Sequence, residues 1–207
     1  MKKIPLFCLM GALLVIFAEP NHAQTNREAA KLTREGAEAL KSKDWDRAVD
    51  LFRRAAELDH RNDKSYSAAL QQRGYALTTA QKYQQAIDDY SAALEITPDD
   101  PRIYEFRAYA ELRLGDYDHA LADYNELLKR KPNEVPYLLY RSYIYEVKGD
   151  AAAAIADCDK VLQMQHENAE AKARKQRMQT LQAQQAATQM PPGPISAPSQ
   201  SGPPKKP

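Results

Sequence analysis

Residues 83–98 read YQQAIDDYSAALEITP, and 34 positions later residues 117–132 read YDHALADYNELLKRKP. Tyr83, Ala86, Tyr90 and Pro98 thus recur as Tyr117, Ala120, Tyr124 and Pro132. Moving outward, a weaker copy holds Ala151, Ala154, Cys158 and His166, and an earlier one Trp45, Ala48, Phe52 and His60. Each copy is preceded by an apolar residue (Leu32, Leu70, Tyr104, Leu138) and, four places on, a small one (Gly36, Gly74, Ala108, Ser142). A fixed period of this length marks a stacked-repeat architecture.

The spacing within a unit is helical, with apolar positions at three and four, as in Leu40, Ala48, Leu51, Phe52, Ala55 and Leu58. Small residues let two helices approach closely. Lys43-Asp44, Gln81-Lys82, Gly115-Asp116 and Gly149-Asp150 read as turns between paired helices, the glycines suited to a left-handed helix end. A closing proline stops the second helix, and Pro101 suits the first turn of the next. Thr25 and Glu28 have capping-box spacing. From Gly36 to Gly74 the interval is 38, so four extra residues near Asp63–Tyr66 predict a first helix one turn longer. Ala151 and Cys158 predict looser packing in the fourth unit, or filling by whatever follows.

The pattern resembles the tetratricopeptide (TPR) repeat over roughly residues 27–168. The resemblance implies an all-α solenoid of four helix-turn-helix units: 29–62, 63–100, 101–134 and 135–168. A capping helix over 168–187 would cover the last exposed core. Its basic cluster, Lys172, Arg174, Lys175 and Arg177, reads as a solvated face.

The ends carry a different message. Met1-Lys2-Lys3, then fifteen uncharged residues (4–18), then a break ending on Ala23 have the layout of a bacterial secretory signal peptide over 1–23. Cleavage is expected after Ala23, with Ala18 the alternative cut and an uncleaved N-terminal anchor the alternative reading, giving a periplasmic or secreted protein that touches membrane only through that peptide. The folded domain would occupy 24–187. Residues 188–207 hold seven prolines, all after Met190, and predict an extended tail with polyproline character, either a spacer or a docking peptide ending in Lys205-Lys206.

Composition excludes several function classes. The chain has 29 Lys and Arg against 28 Asp and Glu, which argues against a nucleic-acid binder. Seven glycines and two cysteines leave little for phosphate loops, zinc clusters or disulfide frameworks. No catalytic constellation is present, and nothing calls for a metal, cofactor or small-molecule substrate. The expectation is a non-enzymatic scaffold of the cell envelope that binds a partner protein or extended peptide. The alternative is a structural protein that self-associates through its C-terminal helix.

If the small residue of each unit is numbered eight, position nine holds Ala37, Tyr75, Tyr109 and Tyr143. In TPR proteins this position usually points into the concave groove, so the resemblance implies a binding face on Tyr75, Tyr109 and Tyr143. Gln71 and Glu105 lie one turn earlier, and Arg102 and Arg113 flank them. The structural alternative is that these tyrosines pack between adjacent first helices. A TPR subclass grips chaperone C-terminal carboxylates with Lys and Asn. Here the matching places hold Thr33 and Ala37, Gln71 and Tyr75, and Glu105 and Tyr109, so that function does not carry over. A second ladder sets Arg73, Arg107 and Arg141 at position seven and Asp89, Asp123 and Asp157 at position twenty-three. It predicts inter-unit pairs Asp89–Arg107 and Asp123–Arg141, with Arg73 lacking a counterpart because Leu51 stands where its aspartate would be.

Overall fold

The structure, a computed structural model, describes residues 22–189. The signal-peptide reading falls almost wholly outside them, as does all but the start of the proline-rich tail. The elements are α1 (His22–Lys41), α2 (Trp45–Leu58), a 3-10 turn (His60–Asn62), α3 (Asp63–Thr79), α4 (Tyr83–Ile96), α5 (Pro101–Leu114), α6 (Tyr117–Arg130), α7 (Val135–Lys148), α8 (Ala151–Met164) and α9 (Ala169–Gln189). Among the described residues there is no strand. No described helix is long and apolar enough to cross a membrane.

Helices pair as α1/α2, α3/α4, α5/α6 and α7/α8, each pair packs on the next, and α9 lies on α8 and α7. Close approach at the small positions is visible in the first two pairs. A β-carbon on Gly74 would come within 2.7 Å of the Tyr90 ring, and one on Gly36 within 2.9 Å of Phe52. Tyr90 is fully buried beneath its contact, and Tyr124, 34 residues on, is buried likewise. Leu58, at the end of α2, is exposed instead.

The four turns share one geometry. Lys43, Gln81, Gly115 and Gly149 all have positive φ, at 59°, 60°, 88° and 75°. Glycine takes this conformation freely, whereas other residues are strained there by about 1–2 kcal/mol. The next residue caps the second helix: Asp44, Asp116 and Asp150 accept from the backbone N–H three places on, and Lys82 makes no such bond. Lys43→Gly and Lys82→Asp should therefore each raise stability by about 1 kcal/mol, read as a higher urea midpoint at unchanged slope.

Several expectations change. α1 runs from His22, so Thr25 and Glu28 lie inside it and do not cap it. Ala23 and Gln24 are good helix formers that let the helix extend backward. α3 is longer than α5 and α7, 17 residues against 14, as the spacing predicts, and a 3-10 turn precedes it. α9 reaches Gln189, taking in two residues assigned to the tail. It also fills the fourth unit: Met178 packs with Ala151 and Ala154, and Ala171 joins the core around Cys158.

The charge ladder is corrected outright. Arg73 pairs with Asp89, Arg107 with Asp123 and Arg141 with Asp157, each through two bonds of 2.6–2.8 Å. The pairs lie within units, so Arg73 has its partner. The reason is hairpin symmetry. Positions seven and twenty-three each stand eight residues from the left-handed turn residue, so in an antiparallel helix pair they face each other at one height. Only the remaining nitrogen, Nη1, reaches the preceding unit, bonding Asp46, Ser91 or Asn125.

Candidate functional site

The first helices α3, α5 and α7 lie side by side. Tyr75 and Tyr109 project from the position following each small residue, one helical repeat apart. Between them opens a cavity of about 420 Å³. Its wall holds Tyr75, Thr78 and Thr79 from α3, Gln81 from the turn, Tyr83 and Tyr90 from α4, Glu105, Phe106, Tyr109 and Arg113 from α5, Tyr124 from α6 and Tyr140 from α7.

An aromatic framework shapes this wall. Phe106 stacks on Tyr90 with centroids 5.9 Å apart, and 34 residues on Tyr140 stacks on Tyr124 at 5.4 Å. The third and fourth units thus each lay one ring over the buried tyrosine of the unit before. Tyr75 leans on Phe106 at 6.1 Å yet remains 59% exposed. It therefore packs between first helices while most of its side chain remains open to solvent.

Polar groups are placed on this frame. Arg113 donates to the Tyr109 hydroxyl at 2.8 Å, one helical turn away, and its guanidinium lies 5.4 Å from the Tyr83 ring. Glu105 accepts from the Tyr137 hydroxyl at 2.8 Å. Burial pushes the Tyr90 phenol up to about 12, and burial also raises Tyr124, so both stay protonated. Desolvation, then the bond to Glu105, raises Tyr137 likewise.

Of the residues foreseen from the sequence, Tyr75, Tyr109, Glu105 and Arg113 come together here. Gln71 lies one turn below Tyr75, half-buried, with its amide 3.5 Å from the Ser67 hydroxyl. Arg102 turns to its own helix cap, Asp100, at 2.8 Å. Tyr143 continues the ladder on α7 but lies under the Arg174 guanidinium of α9, 5.7 Å from its ring, outside the cavity. Arg174 is 5% exposed and donates to Glu146, Ser142 Oγ and the Leu139 carbonyl. The basic cluster of α9 is thus partly an anchor, not wholly a solvated face. The sequence reading missed Phe106, Thr78, Thr79 and Gln81. The 34-residue recurrence of Phe106 as Tyr140 was the available signal.

The arrangement can hold a chain by aromatic contact and hydrogen bonding. Among the described residues, no group of three or more His, Cys, Asp or Glu could hold a metal ion.

Two family models match the sequence, one described as Tetratricopeptide repeat over residues 107–171 and one as TPR repeat over residues 74–113. Solved structures share the fold. A tetratricopeptide repeat protein from Parabacteroides merdae aligns at 23% identity and TM-score 0.59, over 76% of this chain and 61% of that one. This chain thus spans less than two thirds of that protein. YrrB, a TPR protein with an unusual peptide-binding site, aligns at 16% identity and TM-score 0.61, over 76% of this chain and 80% of its own. The first TPR domain of Spaghetti (RPAP3), bound to the HSP90 peptide SRMEEVD, aligns at 23% identity and TM-score 0.52, over 56% and 93%.

Proposed function

Since this chain belongs to the tetratricopeptide repeat family, we propose that it is a non-catalytic scaffold of the bacterial cell envelope that holds an extended segment of a partner protein against Tyr75 and Tyr109. One observation carries the reading: an open, tyrosine-lined cavity spans three successive first helices. Tyrosine offers large, rigid contact area with a polar tip, at the entropic cost of only two torsions. YrrB and the Spaghetti domain are peptide-binding proteins of this fold, which agrees with the reading. The envelope location rests on the signal-peptide layout of residues 1–23.

A photo-crosslinker at Tyr109, in cells fractionated for envelope proteins, tests both parts. The expected result is a discrete adduct from a chain whose N-terminus is Gln24, strongly reduced by Tyr75→Ala and absent when the crosslinker sits at Asp88 on α4. Truncating one buried aromatic contact typically costs binding about 2 kcal/mol or more, about 30-fold. Equal labelling from Tyr109 and Asp88 would overturn the groove. Adducts only between copies would point to self-association.

A further inference from the structure

The cavity wall has an uneven chemistry that narrows what it can hold. Its donors include the Arg113 guanidinium, the Gln81 amide and the hydroxyls of the exposed Tyr75 and Tyr140. It holds one carboxylate, Glu105, whose Oε2 accepts from the Tyr137 hydroxyl. A ligand rich in carbonyl acceptors and poor in N–H donors suits such a wall. Proline-rich chain is that ligand, since each proline keeps its carbonyl and lacks an N–H. Polyproline segments also leave their carbonyls unbonded and dock against aromatic rings.

Such a segment is tethered nearby. Residues 203–206 read Pro-Pro-Lys-Lys, and the chain leaves the described structure at Gln189, the end of α9. α9 runs parallel to α7, because Arg174 meets Ser142 and Arg177 meets Glu146. Its last ten or so residues therefore pass the end of α7 by roughly 15 Å. The cavity is two first helices away, about 20 Å. At about 3.1 Å per extended residue, the path of roughly 35 Å needs about eleven residues, so the chain would reach the cavity mouth at about Gln200, with Pro203 and Pro204 following inside. Exposed Val147, one turn beyond Tyr143 on α7, lies along that path. Direction also fits. A strand arriving over the C-terminal end of α5 meets Arg113 first and Glu105 about 12 Å further on. The prolines would then lie at Tyr109 and Lys205-Lys206 would approach the Glu105 carboxylate.

We propose that the chain's own segment around Pro203-Pro204-Lys205-Lys206 docks in the tyrosine cavity and occupies it until a partner segment displaces it. This rests on the groove reading above and names the class of ligand, a proline-rich segment followed by basic residues. A short tether supplies an effective concentration of about 1 mM, so even a weak contact is populated.

The test uses the full chain, purified at low concentration, with a photo-crosslinker at Tyr109 or, as control, at Asp88. Digestion and mass spectrometry map the adducts. The expected result is an intrachain adduct on residues 201–207 from Tyr109 and none from Asp88. Pro203→Ala with Pro204→Ala should cut it about 10-fold, as loss of the ring contacts implies. Excess free peptide of sequence 190–207, above about 1 mM, should compete it away. No tail adduct from Tyr109, or an adduct indifferent to the proline substitutions, would overturn the proposal. Adducts solely at the mass of two chains would overturn its same-chain form. If partner adducts form in the envelope but tail adducts do not, the docking falls and the groove reading stands; if neither forms at Tyr109, both fall.

Discussion

Replacing Glu111 by leucine should make the protein about 2–4 kcal/mol more stable than the parent at pH 8.5, and change it little at pH 5. Glu111 is 4% exposed, and its Oε2 makes no hydrogen bond among the described residues. Burial, aided by the nearby Asp123 charge and opposed by Arg107, pushes its carboxyl up to about 8. An unfolded glutamate titrates near about 4.3. Between those values the folded chain holds the proton and the unfolded chain has lost it. Stability is therefore fully present below about pH 4.3 and is lost as pH rises through about 8, by at most about 1.4 kcal/mol per unit. The equivalent position in the second unit is Leu77, so leucine already fits this place in the fold. Urea unfolding of parent and Glu111→Leu at pH 5, 7 and 8.5 reads the effect. Parallel pH profiles for the two proteins would contradict it.

The same carboxyl makes the three arginine–aspartate pairs unequal. Asp89→Ala should cost about 3 kcal/mol, and Asp123→Ala roughly half as much at pH 8. Removing Asp89 leaves Arg73 with Asp46, whose side chain is almost wholly in water. Removing Asp123 leaves Arg107 with Glu111, whose Oε1 is already 3.7 Å away. Glu111 loses a repelling neighbour and gains an unshared cation, so its carboxyl should ionise more readily and take over the pairing. Asp123→Ala should consequently flatten the pH dependence that Glu111 imposes, and Asp89→Ala should leave it intact. Equal losses for the two substitutions, with unchanged pH slopes, would remove this account.

What could be read from the sequence follows from what one period specifies. The small positions, the left-handed turn residues and the closing prolines are each fixed by backbone sterics, so Gly74, Gly115 and Pro132 announce the fold without tertiary information. The tyrosines at position nine were legible for the same reason, because a repeat number fixes a helix face. Side-chain partners were less so. The arginine ladder recurs regardless of whether its partner lies in the same unit or the neighbouring one, and only hairpin height decides between them. Tyr143 looked equivalent to Tyr109, but it borders the last unit, where Arg174 of α9 lies over its ring. Glu111 interrupts an otherwise apolar column, Ala39, Leu77 and Tyr145, a departure visible in the alignment of units whose burial only the fold supplies.

The placement of the arginine–aspartate pairs also bears on how such a chain can change length. A pair closed within one unit travels with it: a gene duplication or deletion of 34 codons copies or removes both charges together. Had the pairs bridged units, each end of the array would carry an ion without its partner. The first unit is consistent with this economy, since it carries Glu35 and Leu51 at the two positions and so lacks both members at once. Arrays wired in this way can gain or lose whole units while the electrostatics of those that remain stay balanced.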